Sequence, residues 1–216
     1  MEIKRYLVPF LIGFLAVAHL VGLMGFSSPE WQETFRMLTP YHLAISYGIM
    51  ISMHKHWDFS LITFIALSFL IGIAMEILGV YTGLVFGEYH YSENLGLKVG
   101  GTPLIIGVNW VMLTYMTGYL ANKLTTQVWV RILIGAIAMV LLDVLIEPFA
   151  ISQNLWQWEA NSIPLRNYAA WFFISLILHG LFQFFLKGPR NPLTLPLLLI
   201  QTAFFGLGWA LGIWGL

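Results

Sequence analysis

Long apolar runs separated by short polar stretches dominate the chain. A helix needs about 20 apolar residues to cross the hydrocarbon core of a bilayer. Seven stretches approach or exceed this length, at 6–26, 38–54, 60–86, 103–122, 129–149, 168–187 and 193–214. The shortest, 38–54, has Pro40 in its first turn, where a missing N–H is harmless. The pattern predicts an all-α, polytopic membrane protein in which residues 1–216 form one domain of about seven transmembrane helices.

The basic residues predict the orientation of these helices. A cytoplasmic N-terminus places most of them on the inner side, as the positive-inside rule requires. The inner residues are Lys4, Arg5, Lys55, Lys123, Arg131, Lys187 and Arg190, and the outer ones are Arg36, Lys98 and Arg166. The first run is long for a signal peptide and lacks a clear cleavage site, so we expect it to be retained. The sequence thus favours a multi-pass protein of a bacterial cytoplasmic membrane, with connections 87–102 and 150–167 outside.

Composition agrees with a bilayer environment. Hydrophobic residues make up 59% of the chain and charged residues 9%, and the mean hydropathy is +0.80. Soluble domains carry about 25% charged residues. The net charge of zero argues against nucleic acid as a partner. The chain has no cysteine, which excludes disulfides, iron–sulfur clusters and thiol nucleophiles.

Three carboxylic acids interrupt the apolar runs. Asp143 and Glu147 are four residues apart in the fifth span, so they share a helix face, and Glu76 lies in the outer half of the third span. An ionised acid in a bilayer core costs about 2.5–3.5 kcal/mol on insertion scales, so intramembrane acids indicate function. Three acids at one depth should keep at least one of them protonated. A structural alternative is open for Glu76, which could simply be hydrogen-bonded to a neighbouring tyrosine or tryptophan.

Aromatic and amide residues accompany the acids and suggest the rim of a site for an apolar ligand. They are Tyr89, Tyr91, Asn109, Trp110, Trp156, Trp158, Asn167, Tyr168 and Trp171. Asn109 suits the orientation of a water or a carboxylate, although an interhelical hydrogen bond is an equal alternative.

Other chemistries have little support in the sequence. HExxH, GxGxxG, GxxxxGK[ST] and GxSxG motifs are all missing, so we expect neither a metal nor another cofactor. His54, His56 and Asp58 could bind a divalent ion, but this spacing in a short loop is more typical of a solvated membrane-interface patch. His19 and His179 stand alone in their spans and are expected to be hydrogen-bonded helix contacts.

A protonated acid among aromatic rings in an apolar pocket can protonate an alkene. Aromatic faces stabilise the resulting carbocation by roughly 0.5–2 kcal/mol each, and a nearby carboxylate adds an electrostatic contribution. The cation can be captured by water, lose a proton, or be attacked by another double bond. These outcomes correspond to a hydratase, an isomerase and a cyclase, and the residues alone do not choose among them.

Four sequence blocks between about 70 and 172 resemble the membrane-integral carotenoid biosynthesis protein family. The matching residues are Glu76-x-x-Gly79 with Tyr89-His90-Tyr91, Thr102-Pro103 with Asn109-Trp110, Asp143-x-x-x-Glu147-Pro148, and Trp156-x-Trp158 with Pro164-Leu165-x-Asn167-Tyr168-x-x-Trp171. Two positions depart from the family pattern, which usually has Asp at the position of Glu147 and Gly at that of Ala170. An acid is retained at the first position, so we expect the chemistry to survive.

The resemblance implies a carotenoid 1,2-hydratase, which adds water across the terminal double bond of a ψ end group such as that of γ-carotene or lycopene. It implies that Asp143 or Glu147 protonates C2, leaving a cation at C1, and that Glu76, through Asn109, orients the attacking water. Three tryptophans would line the end-group pocket and two tyrosines would cap it, namely Trp156, Trp158, Trp171, Tyr89 and Tyr91.

The implied partners are a lipophilic carotenoid, water, membrane lipid and other enzymes of the carotenoid pathway. Two alternatives stay open at this point. One is a carotenoid cyclase or isomerase that begins with the same protonation, and the other is a non-enzymatic carotenoid-binding protein or transporter.

Overall fold

The computed structural model describes residues 2–215, and within them the chain forms seven α-helices. Their bounds are α1 Glu2–Ser27, α2 Gln32–Ser52, α3 Phe59–Thr82, α4 Leu104–Leu124, α5 Val128–Ser152, α6 Leu165–Phe185 and α7 Thr194–Ala210. Each helix overlaps one span predicted from sequence. Five of these helices, α1, α3, α4, α5 and α6, are long and apolar enough to cross a membrane. The prediction of an all-α, multi-pass membrane protein is confirmed.

Several helix boundaries differ from the prediction for local reasons. The third span was expected to reach residue 86, but α3 ends at Thr82 because Gly83 adopts a left-handed φ of 65°. At the other end of α3, the Asp58 side chain accepts a hydrogen bond from the Leu61 amide at 2.9 Å. The placement of Pro40 in a first turn is wrong, because α2 begins at Gln32 and contains Pro40 in its interior.

Helix α4 is the central element of the bundle and packs against α2, α3, α5, α6 and α7. In its apolar segment 72% of the residues are buried inside the protein, compared with 11% in α1. A side chain on α4 can therefore contact the residues that the surrounding helices direct into the interior of the protein. Close packing depends on small residues here, since a Cβ at Gly72 of α3 would lie 2.7 Å from Trp110 Cβ.

Two small antiparallel ribbons lie in the long connections, which the sequence pattern had left without secondary structure. Strand β1 (Tyr89–Tyr91) pairs with β4 (Trp156–Trp158), and β2 (Lys98–Val99) pairs with β3 (Thr102–Pro103). In the first ribbon Tyr89 pairs with Trp158 and Tyr91 pairs with Trp156. Residues two apart in a strand share a face, so the ribbon presents four aromatic side chains on one side.

Candidate active site

Glu76 of α3 is 3% exposed and accepts hydrogen bonds through both oxygens of its carboxyl group. The hydroxyls of Tyr89 and Tyr91 donate to Oε2 at 2.5 and 2.8 Å. The indole of Trp110 donates to Oε1 at 2.9 Å. Trp110 in turn stacks on Trp171 of α6, with ring centroids 4.2 Å apart. Three O–H and N–H donors therefore fix this carboxylate in place.

Glu147 and Asp143 lie one helical turn apart on α5, and both are buried. The indoles of Trp156 and Trp158 donate to Glu147 Oε2 at 3.1 and 2.9 Å. The side-chain amide of Asn167 bridges the two acids, because its Nδ2 donates to Asp143 Oδ2 at 2.8 Å and to Glu147 Oε1 at 3.4 Å. The β1–β4 ribbon thus supplies two donors to Glu76 and two to Glu147.

One carboxyl oxygen differs from the others of this cluster. Asp143 Oδ1 is buried and has no hydrogen-bond partner among the described residues, whereas both oxygens of Glu76 and Glu147 and Oδ2 of Asp143 accept from N–H or O–H groups. A buried acceptor without a donor is unfavourable. A water molecule at this oxygen would remove that penalty in either protonation state, because it can donate to a carboxylate oxygen or accept from the O–H of a carboxylic acid.

The three acids line a common cavity of about 20 Å³. A water molecule needs about 10–15 Å³ of such space and polar groups to bind it, so this cavity has room for about one water. The other lining residues are Phe86, Tyr89, Tyr91, Ile106, Asn109, Trp156, Trp158, Asn167 and Trp171. Glu76 of α3 and the face of α5 that carries Asp143 and Glu147 therefore converge on one cavity.

A second cavity of about 300 Å³ adjoins the first, because Ile106, Asn109 and Trp156 line both. Its wall is mostly apolar and includes side chains from α1, α2, α4, α5 and α7, among them Phe26, Phe35, Phe149, Phe204 and Phe205. Leu38, Tyr41 and Ile45 of α2 form an exposed part of its rim. The cavity therefore borders the outer surface of the protein at this rim.

None of the three buried acids has a Lys or Arg partner within residues 2–215. Two ion pairs of this region join Arg36 with Glu33 and Lys98 with Glu93, and both carboxylates are exposed. His90 Nδ1 lies 3.0 Å from Oε1 of Glu159, which is also exposed. The tyrosines of β1 remain neutral donors, because burial and then the Glu76 carboxylate raise the pKa of both phenols. A cation formed in the cavity would be attracted to this cluster.

The structure brings together most residues that the sequence singled out. Tyr168 is half-buried on α6 and does not line either cavity. Asn109 lines both cavities, but Trp110 is the residue bonded to Glu76. The structural alternative for Glu76 is therefore also correct, since neighbouring aromatic residues do hold it.

Sequence reasoning missed the large cavity and two lining residues of the small one, Phe86 and Ile106. The alternation of aromatic and polar residues in Tyr89-His90-Tyr91 and Trp156-Gln157-Trp158 is a period-two signal that could have predicted the ribbon. The expectation for His179 is supported, since its ring nitrogens lie 2.7 Å from Ser175 O and 2.8 Å from Thr117 Oγ1.

Two of the three residues considered for a metal, His54 and Asp58, have other contacts. The Nδ1 atom of His54 lies 2.6 Å from the Tyr115 hydroxyl, and Asp58 caps α3. Burial lowers the pKa of His54. Within residues 2–215, no group of three or more His, Asp and Glu side chains has an arrangement suited to a metal ion.

Fold and site together define a multi-pass integral membrane protein with a buried carboxylic acid cluster between a one-water cavity and a larger apolar cavity. The chain belongs to the carotenoid biosynthesis protein family, which matches residues 35–215. The resemblance noted over residues 70–172 is thereby confirmed, and the match extends to α2 and α7.

One curated relative carries a more specific name. The chain is similar to bisanhydrobacterioruberin hydratase of Haloarcula japonica, with 29% identity over 119 residues. The alignment covers 51% of this chain and 40% of the relative, so the chain matches less than half of that protein's length. No solved structure matches the chain.

Proposed function

We propose that this protein is a carotenoid hydratase that adds water across a terminal carbon–carbon double bond of a carotenoid. The observation that carries the proposal is Asp143 Oδ1, a buried carboxyl oxygen without a partner in the described chain, in a residue that lines a cavity with room for about one water. The adjoining apolar cavity provides space for the hydrocarbon. Family membership and the hydratase relative support the same class of substrate and reaction.

Asp143 is the proton donor in this mechanism. Asn167 occupies Oδ2, so the proton resides on Oδ1. The π electrons of the terminal double bond take this proton and form a new C–H bond at C2. The O–H bond of Asp143 breaks, and a tertiary cation is left at C1. Asp143 becomes a carboxylate, which Asn167 stabilises by its hydrogen bond.

The cation is stabilised by charge and by aromatic rings. Glu76, held by its three donors, supplies a fixed negative charge in a site from which bulk water is excluded. Trp156 and Trp158 lie beside the cavity, and an aromatic face contributes roughly 0.5–2 kcal/mol to a nearby cation. These groups are in place before the cation forms, so little reorganisation accompanies the reaction.

Water then completes the addition. The oxygen of the water in the small cavity forms a bond to C1, and its surplus proton passes to the carboxylate of Asp143. The donor is thereby regenerated, and the atoms balance as alkene plus water giving a tertiary alcohol. Glu147 lies one turn away and shares the amide of Asn167, so a charge on Glu147 disfavours a charge on Asp143 and favours the return of the proton to Asp143.

The large cavity binds the end group of the carotenoid. Its volume of about 300 Å³ is at the lower limit of common ligand pockets, which measure about 300–1,000 Å³. One end of a long polyene fits such a space, and the remainder extends past the exposed rim of α2 into lipid. Trp156 and Asn109, which line both cavities, are positioned where the end group meets the water.

The test is the product formed in a host that accumulates lycopene or γ-carotene. Expression of the full chain should convert the pigment to a product one water heavier, and growth in ¹⁸O-labelled water should place the label in that product. Membranes from cells with an empty vector are the control. A new product with the mass of its substrate would indicate a cyclase or isomerase, and unchanged pigment that copurifies with the protein would indicate a binding protein. Either result would refute the proposed hydration.

A further inference from the structure

A third cavity, open and of about 410 Å³, lies at the end of the bundle away from the acid cluster. The α2–α3 connection and the α6–α7 connection form its wall, together with the last residue of α6. Asp58 of this wall caps the start of α3, whereas Glu76 lies near the other end of the same helix. The cavity is therefore separate from the candidate active site, with which it shares no lining residue.

Hydrogen bonds hold the two connections against each other. The backbone N–H of Lys55 donates to the carbonyl oxygen of Arg190 at 3.1 Å. The buried side chain of Asn191 joins the same two segments, because its Nδ2 donates to Met50 O at 2.7 Å and its Oδ1 accepts from the Leu193 amide at 3.0 Å. The wall of the cavity is thus preorganised, and a ligand there need not draw the connections together.

The polar side chains of this wall favour an anion. Lys187 and Arg190 line the cavity, and neither forms an ion pair with any carboxylate among the side chains that the structure describes. Asp58 is the one acid of the wall, and its Oδ1 accepts from the Leu61 amide. Two free cations against one acid leave an excess of positive charge in a concave site, where Lys and Arg bind phosphate groups well.

Apolar residues place this cavity beside the membrane. Phe185 and Leu186 belong to its wall, so one part of the wall is apolar. Phe59 at the start of α3 and Phe184 near the end of α6 are 81% and 72% exposed, and α3 packs against α6. Exposed aromatic residues at helix ends are typical of the boundary between lipid and water. The positive-inside rule predicts the inner leaflet for this boundary.

We propose that the cavity binds the head group of an anionic phospholipid. Lys187 and Arg190 contact its phosphate, and the acyl chains pass along the exposed rings of Phe59 and Phe184. A soluble phosphate carries the same charged group, but it has no use for the apolar part of the wall or for the aromatic residues beside it. Basic pockets between transmembrane helices bind anionic lipid head groups in this way. The inference is independent of the proposed hydration.

Lipid titration of the full-length protein in neutral detergent tests the inference. Native mass spectrometry reports the binding of phosphatidylglycerol, which is anionic, and of phosphatidylcholine, which has no net charge. The wild-type protein should bind phosphatidylglycerol about tenfold more tightly, since a hydrogen bond between charged groups corresponds to at least that factor. Arg190→Gln and Lys187→Gln should each weaken the binding of phosphatidylglycerol about tenfold and leave that of phosphatidylcholine unchanged.

Two further variants separate a defined site from general attraction. Lys123→Gln removes an exposed cation that the sequence places on the same inner side but outside the cavity, so it should leave the preference unchanged. Asp58→Asn should tighten the binding of phosphatidylglycerol, because it removes the negative charge of the wall while asparagine retains the cap of α3. Thermal unfolding of each variant verifies that it is folded.

Three results would overturn the inference. The first is equal binding of phosphatidylglycerol and phosphatidylcholine by the wild-type protein. The second is a loss in Lys123→Gln as large as that in Arg190→Gln, which would indicate attraction to the whole inner surface. The third is displacement of phosphatidylglycerol by an equal concentration of inorganic phosphate, which would show that the cavity takes a soluble anion rather than a lipid.

Discussion

Exchange of Asp143 for asparagine is the most direct test of the proton donor. The substitution preserves shape. The new side-chain oxygen can accept from Asn167 Nδ2 as Oδ2 does now, and the new NH₂ group takes the position of the unpaired Oδ1. No existing hydrogen bond need be lost, so we expect the free energy of unfolding to change little. The variant lacks only the acidic proton.

The expected loss of rate is large. Proton transfer by a positioned acid contributes about 10²–10⁴-fold, and alkene hydration depends wholly on that first proton, so Asp143→Asn should lower the rate by about 10⁴. This factor corresponds to roughly 5.5 kcal/mol at 1.36 kcal/mol per decade. The assay is the rate of ¹⁸O incorporation into the polyene by purified protein in detergent, followed by mass spectrometry, with thermal unfolding measured on the same preparation.

Glu147→Gln is the matched comparison, because it changes the neighbouring acid of the same helix. Either orientation of the new amide sets its NH₂ against an N–H donor, from Asn167 on one side or from Trp156 and Trp158 on the other. Loss of such a buried bond costs about 1–3 kcal/mol, so this variant should unfold at a lower temperature than Asp143→Asn. If Asp143→Asn keeps its rate within about tenfold of wild type, a range far below the loss expected for an acid, Asp143 is not the donor.

Three further outcomes are expected. Glu76→Gln should remain folded, because the new amide can donate to the tyrosine hydroxyls and accept from Trp110. The lost charge should lower the hydration rate, measured by ¹⁸O incorporation, by about 10²-fold. An unchanged rate would show that Glu76 does not stabilise the cation. Gly72→Ala should destabilise the protein by about 1–3 kcal/mol, since the new Cβ would lie 2.7 Å from Trp110 Cβ. Gly13→Ala is the control, because a Cβ there meets no atom within 4 Å. Equal thermal unfolding temperatures for the two variants would contradict this packing. The raised pKa of Tyr89 and Tyr91 should keep both phenols neutral in the folded protein as the pH passes about 10, the ordinary tyrosine value, while they ionise in the unfolded chain. The free energy of unfolding should therefore decline above about pH 10. A spectroscopic titration that shows both phenols ionised in the folded protein at that pH would refute this expectation.

Much of the fold follows from hydrophobic patterning alone. Bilayer thickness sets the length of an apolar run, so the seven helices could be located without knowledge of their neighbours. The ends were less predictable. The left-handed conformation of Gly83 ends α3 early, and α2 begins at Gln32 and continues through an interior Pro40.

The site was predictable in its members and not in its contacts. Polar residues in lipid are few and expensive, so Glu76, Asp143 and Glu147 could be identified individually. Which donor pairs with which acid depends on the register of β1 and β4, and that register is a property of two connections far apart in the chain. The contact between His19 of α1 and His42 of α2 was missed for the same reason, because it forms only when the two helices pack together.

The β1–β4 ribbon has a consequence for protein engineering. Its two strands belong to different connections, and together they supply the tyrosine donors of Glu76 and the tryptophan donors of Glu147. A chimera that imports only one of these connections from a homologue would misalign the strand register and leave both acids poorly anchored. The two segments should therefore be transplanted as a unit, and natural variation in one should be matched by compensating variation in the other.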